Sequence, residues 1–212
     1  MLNNVVLLAA AGSGSRFDDK LPKQYHKISD AQSILEFTIQ QFASHKSIDM
    51  VCLVINQQHE KFLSNNTTPF TYGGNTRQES IRLGLEFLHN YQPKNVLIHD
   101  VVRPFASHEI ISSVISKLDE YEAVDVATPI TDTIKTYDGS VIPRDTIYST
   151  QTPQGFKFDI ISELHAKAFK SGKNHYTDDI SLYLEGCRSG KGIGIVDGSP
   201  QNIKITYKND LL

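Results

Sequence analysis

Short apolar runs rich in β-branched residues alternate along this chain with longer amphipathic stretches, and that rhythm restricts the fold more than any other feature. Val5-Val6-Leu7-Leu8-Ala9 is apolar at every position. A strand with one face in water alternates apolar with polar residues, whereas a strand covered on both faces does not. Met50 to Ile55 and Val96 to His99 carry further runs of this kind, and Ala123 to Ala127 is strand-like. Between the runs, apolar residues recur at helical spacing. Ser33 with Glu36 makes a capping-box pattern for a helix from Ile34 to His45, and Thr76 with Glu79 makes a second for a helix ending near Asn90. Helices are also expected from Ser107 to Leu118, over 157–171 and over 178–186, with a short one at 58–63. A weak strand is expected near Phe70-Tyr72, and further strands at 192–197 and 203–207. Buried strands alternating with helices predict the α/β class: a Rossmann-like, mostly parallel sheet with helices on both faces.

Residues 131–152 break the rhythm. They are β-rich around Asp138-Gly139, a hairpin turn signal, and show no helical period. A β-arm leaving the main sheet and an ordinary edge hairpin both fit that pattern.

At 212 residues a single domain, 1–212, is expected, with no repeat or linker along it. A chain of this size buries roughly 70–75% of its unfolded surface, so its core needs no disulfide or metal. No apolar run approaches the roughly 18 residues that span a bilayer. The start, Met1-Leu2-Asn3-Asn4-Val5, lacks the charged region and cleavage site of a signal peptide. A net charge of −3 argues against a nucleic-acid binder but leaves room for a local basic pocket. Cys52 and Cys187 are too few for a disulfide framework or a zinc site. A cytoplasmic protein without membrane or nucleic-acid partners is the expectation.

Open α/β sheets bind ligands beyond the C-terminal ends of their strands, so chemistry is sought there. After the first strand come Ala10-Ala11-Gly12-Ser13-Gly14-Ser15-Arg16 and then Leu21-Pro22-Lys23-Gln24-Tyr25. Glycines let the backbone approach a phosphate, and Arg16 and Lys23 add cations. Gly12 and Gly14 begin a dinucleotide fingerprint, but Phe17 stands where its third glycine belongs. A flexible strand-to-helix connection is the plain alternative. Gly73-Gly74 precede a helix carrying Arg77 and Ser80 on one face, which suits a nucleotide or an ordinary capped helix equally. His99-Asp100-Val101-Val102-Arg103-Pro104 ends the next buried strand. Asp100 is placed to hold Mg²⁺ or a hydroxyl, Arg103 to pair with it, and His99 reads better as structural than as a base. Asp132-Thr133, Arg144, Thr152-Pro153-Gln154, Thr177-Asp178-Asp179 and Asn202-Ile203-Lys204-Ile205-Thr206 each have a bland reading alone: Arg144 a solvated charge, Thr177 a helix N-cap, Lys204 a strand-edge residue.

Together, in this order and spacing, these motifs resemble the 2-C-methyl-D-erythritol 4-phosphate cytidylyltransferase family of the non-mevalonate isoprenoid pathway, from Val5 to Leu211. The resemblance implies a nucleotidyltransferase fold of glycosyltransferase-A type, a homodimer formed through the 131–152 arm, CTP and Mg²⁺. It implies that Arg16, Lys23, Arg144 and Lys204 are catalytic or substrate-positioning cations. It places CTP against Ala10, Ala11, Gly12, Gly14, Gly73, Gly74, Arg77, Ser80, Asp100 and Val101, and the polyol phosphate against Asp100, Arg103, Thr133, Arg144, Thr152, Thr177 and Lys204, with Asp100 as the metal ligand. Two departures stand out. Val101-Val102 replaces the family's common Ala-Ala, and the chain stops at Leu212, short of a usual further helix. Some relatives are fused to the cyclodiphosphate synthase of the same pathway.

The implied reaction moves CMP from CTP to 2-C-methyl-D-erythritol 4-phosphate and releases pyrophosphate. A ribitol-5-phosphate cytidylyltransferase shares the core motifs, and Ile142-Pro143-Arg144 with Tyr148 also fits that branch. Asp132-Thr133-Ile134-Lys135 and Thr177-Asp178-Asp179 favour the methylerythritol branch. A nicotinamide-dependent oxidoreductase is disfavoured by the missing third glycine. A silent nucleotide-binding module is disfavoured by the intact Arg16, Lys23, Asp100 and Lys204.

Overall fold

The apolar runs form the centre of a seven-stranded sheet. A computed structural model describes residues 2–12, 17, 21–63, 67–187 and 192–211. In chain order the strands are β1 (Asn4–Ala10), β2 (Met50–Ile55), β3 (Phe70–Tyr72), β4 (Asn95–Asp100), β5 (Ala123–Pro129), β6 (Ile134–Lys135), β7 (Val141–Ile142), β8 (Tyr148–Lys157) and β9 (Gly194–Asp197). The helices are α1 (Ile34–Ala43), α2 (Arg77–Leu88), α3 (His108–Lys117), α4 (Phe158–Lys170) and α5 (Asp179–Gly186). The large sheet has the order β3-β2-β1-β4-β8-β5-β9, and β6 pairs only with β7. Every pairing in the large sheet is parallel except those of β8, which runs antiparallel to both β4 and β5.

The uninterrupted apolarity of β1 has a direct cause. Val6 and Leu8 pack with Leu35 and Phe42 of α1 and Ile110, Ile111 and Val114 of α3. Val5 and Leu7 pack on the opposite face with Ile81 and Leu85 of α2 and Phe158 and Ile161 of α4. All four β1 residues are fully buried. Each layer therefore takes alternate residues of the same strand, and neither face leaves room for a polar side chain.

Both capping signals form, with one difference. Ser33 and Glu36 make the reciprocal box on α1. Thr76 caps α2 by accepting from Glu79 N, but the Glu79 carboxylate reaches back to Asn75 N at 2.7 Å instead of closing the box. The N-cap of α5 is Asp178, which accepts from Ser181 N at 2.7 Å, and not Thr177. Asp178 is one residue nearer to the first helical turn.

Two expectations need correction. Residues 148–152 belong to β8 in the main sheet, so the projecting hairpin ends before Tyr148. Residues 203–207 form no strand. Both edges of β4 are already taken by β1 and β8, so this segment crosses beyond the strand end, held by Ile205 N donating to Val102 O at 2.9 Å. Its sequence alternates apolar with polar as a strand would, but its burial does not: Ile203 and Lys204 are both exposed and Ile205 is fully buried. The short helix expected at 58–63 is present as a 3₁₀ helix, Gln57–Phe62.

Inserting β8 brings a carboxylate inside. Asp125 on β5 is 2% exposed and accepts from Thr150 Oγ1 at 2.7 Å, Gln154 Nε2 at 3.0 Å, Val126 N at 3.0 Å and Tyr148 Oη at 3.2 Å. Burial nonetheless raises its pKa above the ordinary carboxylate value. Above the unfolded value of about 4 the unfolded chain therefore ionises more readily, and the charge opposes folding. Asp125→Asn keeps the shape and three of the donors at Oδ1, and Tyr148 can turn to accept. It is expected to raise Tm at pH 7, with the gain vanishing below pH 4. A lower Tm at pH 7 in a pH series of melting curves contradicts this account.

Candidate active site

The strand order reverses between β1 and β4, and a 370 Å³ cleft opens beyond their C-terminal ends, where such a reversal parts the connecting segments. Ala9 to Gly12 form one wall, and Asp100, Val101 and Val102 form another. Arg77 and Ser80 enter from the first turn of α2, Lys23 and Gln24 from a 3₁₀ turn, and Lys204 and Thr206 from the segment that crosses the strand end.

Local packing explains why these walls hold. The Gln24 side chain is 2% exposed and donates through Nε2 to Ala10 O at 2.8 Å and Gly12 O at 3.1 Å. It ties the Lys23 turn to the end of β1. Gly73 is required where β3 passes the cleft, because a Cβ there would lie 2.6 Å from Ser80 Oγ and 2.7 Å from Ala11 Cβ. Ser80 accepts from Gly74 N at 3.1 Å and donates to Thr76 O at 2.8 Å. Lys23 Nζ donates to Ile205 O at 3.0 Å, and Arg103 Nη1 donates to Asn202 O at 2.8 Å. Asn202, fully buried, donates to Thr152 O at 3.0 Å.

Asp100 is the electrostatic centre. Its Oδ2 lies 2.6 Å from Lys204 Nζ and its Oδ1 lies 3.5 Å from Arg77 Nε. Burial works against the charge, but Arg77 and then Lys204 outweigh it and hold the carboxyl well below the usual carboxylate range. Arg77 also lies 2.8 Å from Asp179 Oδ2 through Nη2. Desolvation lowers its pKa, yet Asp179 and Asp100 together raise it above the ordinary arginine value.

His99 is structural, as its sequence context suggested. Burial pushes it down to about 4, so the ring is neutral at pH 7. Its Nε2 lies 2.9 Å from Arg103 O and its Nδ1 lies 3.0 Å from Thr152 Oγ1. The Thr152 hydroxyl accepts from Asp100 N at 3.1 Å, so with the Nε2–H tautomer one consistent chain runs from the Asp100 amide to the Arg103 carbonyl. Neither ring nitrogen is left for a substrate proton.

Of the sequence candidates, the structure places Ala10, Ala11, Gly12, Lys23, Arg77, Ser80, Asp100, Val101 and Lys204 around this cleft. Gly73 and Gly74 stand behind Ser80. Gly14 and Arg16 lie outside the described residues. Arg103 does not form the expected ion pair with Asp100: its guanidinium bonds the Asn202 carbonyl, and the partners of Asp100 are Arg77 and Lys204. Thr152 holds the Asp100 backbone rather than lining the cleft. Thr133, Arg144 and Thr177 are exposed and line no part of it within one subunit. Arg144 Nη1 donates to Thr131 O across the base of the hairpin. Ala9, Gln24 and Thr206 were missed as lining residues, and Asp179 was missed as the partner of Arg77. Gln24 and Thr206 sat within quoted motifs and Ala9 ended the first apolar run, whereas nothing local marked Asp179 as more than a first-turn acid.

Among the described residues no cluster of three or more His, Cys, Asp or Glu could hold a metal. Asp100 alone suits a cation that takes most of its ligands from a polyphosphate and water. No described helix is long and apolar enough to cross a membrane.

The sequence model described as "IspD: 2-C-methyl-D-erythritol 4-phosphate cytidylyltransferase" matches residues 4–212. The chain is 37% identical to a protein of that name from Clostridioides difficile, with 97% of this chain and 90% of that protein covered. It is also 37% identical to the bifunctional enzyme IspD/IspF of Paramagnetospirillum magneticum, where all of this chain matches 56% of the relative. The chain thus spans about half the length of the bifunctional relatives it matches. Among solved structures, 4-diphosphocytidyl-2C-methyl-D-erythritol synthase from Anaerococcus prevotii superposes with a TM-score of 0.83 at 32% identity, covering 99% of this chain and 92% of that one. The cytidylyltransferase of Thermus thermophilus gives 0.83 at 29% identity, covering 99% and 95%.

Proposed function

The chain belongs to the 2-C-methyl-D-erythritol 4-phosphate cytidylyltransferase family, and from that premise we propose that it transfers CMP from CTP to 2-C-methyl-D-erythritol 4-phosphate. The products are 4-CDP-2-C-methyl-D-erythritol and pyrophosphate. The observation that carries this reading is the cleft at the sheet's switch point, lined by Lys23, in which Arg77 and Lys204 flank one ionised carboxylate, Asp100.

The nucleophile is an oxygen of the substrate phosphate. With a second pKa near 6 it is largely dianionic at pH 7, so no strong general base is needed, in keeping with a neutral, doubly bonded His99. The oxygen forms a bond to the α-phosphorus as the bond to the β-phosphate oxygen breaks. What the protein supplies is position and charge neutralisation. The backbone of Ala10 to Gly12, with Val101 and Ser80, borders the nucleoside side of the cleft. Lys23 faces the triphosphate, together with Arg16 and Gly14 as the resemblance implies. Lys204 is shared between Asp100 and the incoming phosphate. Asp100 would hold Mg²⁺ jointly with the triphosphate, and the ion supplies charge neutralisation on the phosphates. Thr152 and His99 keep Asp100 in place. Arg103 acts through Asn202 on the segment that carries Lys204.

Arg144 and Thr133 reach a substrate only if the hairpin enters a second subunit. Tyr137 and Val141 on that hairpin are exposed, and a two-stranded ribbon is marginal alone. Pairing of two arms in a twofold homodimer covers these side chains and carries Arg144 to the partner's cleft. Cys52 and Cys187, which form no disulfide, accord with action in the reducing cytoplasm.

Pyrophosphate release from CTP, measured in parallel with methylerythritol phosphate and ribitol 5-phosphate, tests the reading. Release with the former at a kcat/KM at least tenfold higher is expected, and preference for ribitol 5-phosphate overturns the substrate assignment. A site that hydrogen-bonds the cytosine amino group rejects bases lacking it. UTP and GTP should therefore be poor substrates, and equal turnover of CTP and GTP would remove the cytidine assignment.

A further inference from the structure

Arg77 is anchored outside the cleft by a residue that touches no part of it. Asp179, the first residue of α5, is 1% exposed. Its Oδ2 lies 2.8 Å from Arg77 Nη2 and its Oδ1 lies 3.0 Å from His165 Nε2. His165 is also 1% exposed. The Asp179 amide donates to Gln154 Oε1 at 3.2 Å, and Gln154 Nε2 donates to buried Asp125. The carboxylate is thus fixed through backbone and side chain alike. Burial disfavours its charge, but Arg77 leads the contributions that hold its pKa below the ordinary value.

Stability alone is a poor reason for this arrangement. A buried ion pair commonly gives no net stabilisation over packed apolar residues. Here Arg77 Nη1, His165 Nδ1 and Asp179 Oδ2 also lack hydrogen-bond partners among the described residues, the last meeting Arg77 as an ion pair only, a cost that native cores usually avoid. Arg77 moreover opens α2, where the helix dipole disfavours a cation. Something must hold it there against that field, and the geometry decides which carboxylate does. The contact with Asp179 is 2.8 Å and that with Asp100 is 3.5 Å.

We propose that Asp179, supported by His165, is a positioning residue for nucleotidyl transfer. It draws the Arg77 guanidinium back to 2.8 Å from its own carboxylate, so that Arg77 stands 3.5 Å from Asp100 without closing on it. Asp100 then stays shared with Lys204 and free to exchange partners when phosphates arrive. Without the Asp179 charge, Arg77 swings onto Asp100 as a tight pair and competes with Lys204. The inference rests on the cytidylyl-transfer reading for its rate test but not for its structural test.

The experiment is a double-mutant cycle between Asp179→Asn and Arg77→Met, read as kcat and as KM for CTP, with the crystal structure of Asp179→Asn beside it. Asparagine keeps the shape and can still accept from His165. Misplacing a phosphate-facing group by about 1 Å costs up to about 10²-fold in rate, so Asp179→Asn should lower kcat by about 10–10²-fold. If Asp179 acts through Arg77, the same change made in Arg77→Met should alter kcat by less than about twofold. In the crystal, Arg77 should move to hydrogen-bonding distance of Asp100. Equal fold-losses in both backgrounds, or an unmoved guanidinium, overturn the proposal. Should Asp179→Asn not fold, the cycle is run with His165→Gln, which loosens Asp179 without removing its charge; additive losses there overturn it likewise. If the wild-type protein transfers no CMP, the functional reading fails, and the position of Arg77 in the variant crystal still decides this one.

Discussion

Lys23→Ala should retain the wild-type melting profile and lose about 10²–10³-fold in kcat at saturating CTP, the usual consequence of removing one preorganised group that stabilises charge in the transition state. The fold is expected to survive because Lys23 is not a core residue. The 3₁₀ turn that carries it, Lys23–Tyr25, is held by Gln24 bonding Ala10 O and Gly12 O. The amine also donates to Ile205 O, so a loss could be blamed on loosening the crossing segment. Lys23→Gln separates the two causes: its amide can still reach that carbonyl but carries no charge. Comparable loss in both variants assigns the effect to charge at the phosphates. Turnover near wild type in Lys23→Ala would remove Lys23 from the chemistry.

Mixing Lys23→Ala with Arg144→Ala, after joint unfolding and refolding, should restore about a quarter of wild-type activity. Each protein alone should be nearly inactive. The expectation follows from closed twofold assembly. Random pairing makes half the dimers mixed, and in each mixed dimer one site has both cations while the other has neither. The structural basis is the separation within one subunit. Lys23 lines the cleft, whereas Arg144 sits exposed on the hairpin with its guanidinium on Thr131 O. If Arg144 served its own subunit, every site in the mixture would lack one cation and nothing would return. No recovery, with mixed dimers shown to be present, would end the shared-site proposal.

The sheet and its two helical layers were legible because burial on both faces leaves a simple mark, a run such as Val5 to Ala9 with no polar break. The same rule hid β8. Its first half, Tyr148 to Thr152, is polar because its hydroxyls serve the buried Asp125 and the Asp100 backbone, so it read as part of the arm. At 203–207 the apolar–polar alternation of the sequence does not carry into burial, because the segment is seated over the end of β4, whose edges are both paired. In the cleft, residues beside strand ends were visible as motifs. Asp179 stood in a quoted motif, but its pairing with Arg77 was not visible, since its partners Arg77, His165 and Gln154 are distant in sequence and meet only through packing. Arg103 was misread for the converse reason: three residues from Asp100, it is turned away toward Asn202.

Phosphorus NMR of the complete reaction tests the central claim most directly. Wild-type protein, CTP, Mg²⁺ and 2-C-methyl-D-erythritol 4-phosphate are followed together. The account predicts that the resonances of CTP and of the substrate monophosphate fall in step while a CDP-linked diphosphate and an equal amount of pyrophosphate appear. No product, or CMP released without a new diphosphate linkage, would contradict it.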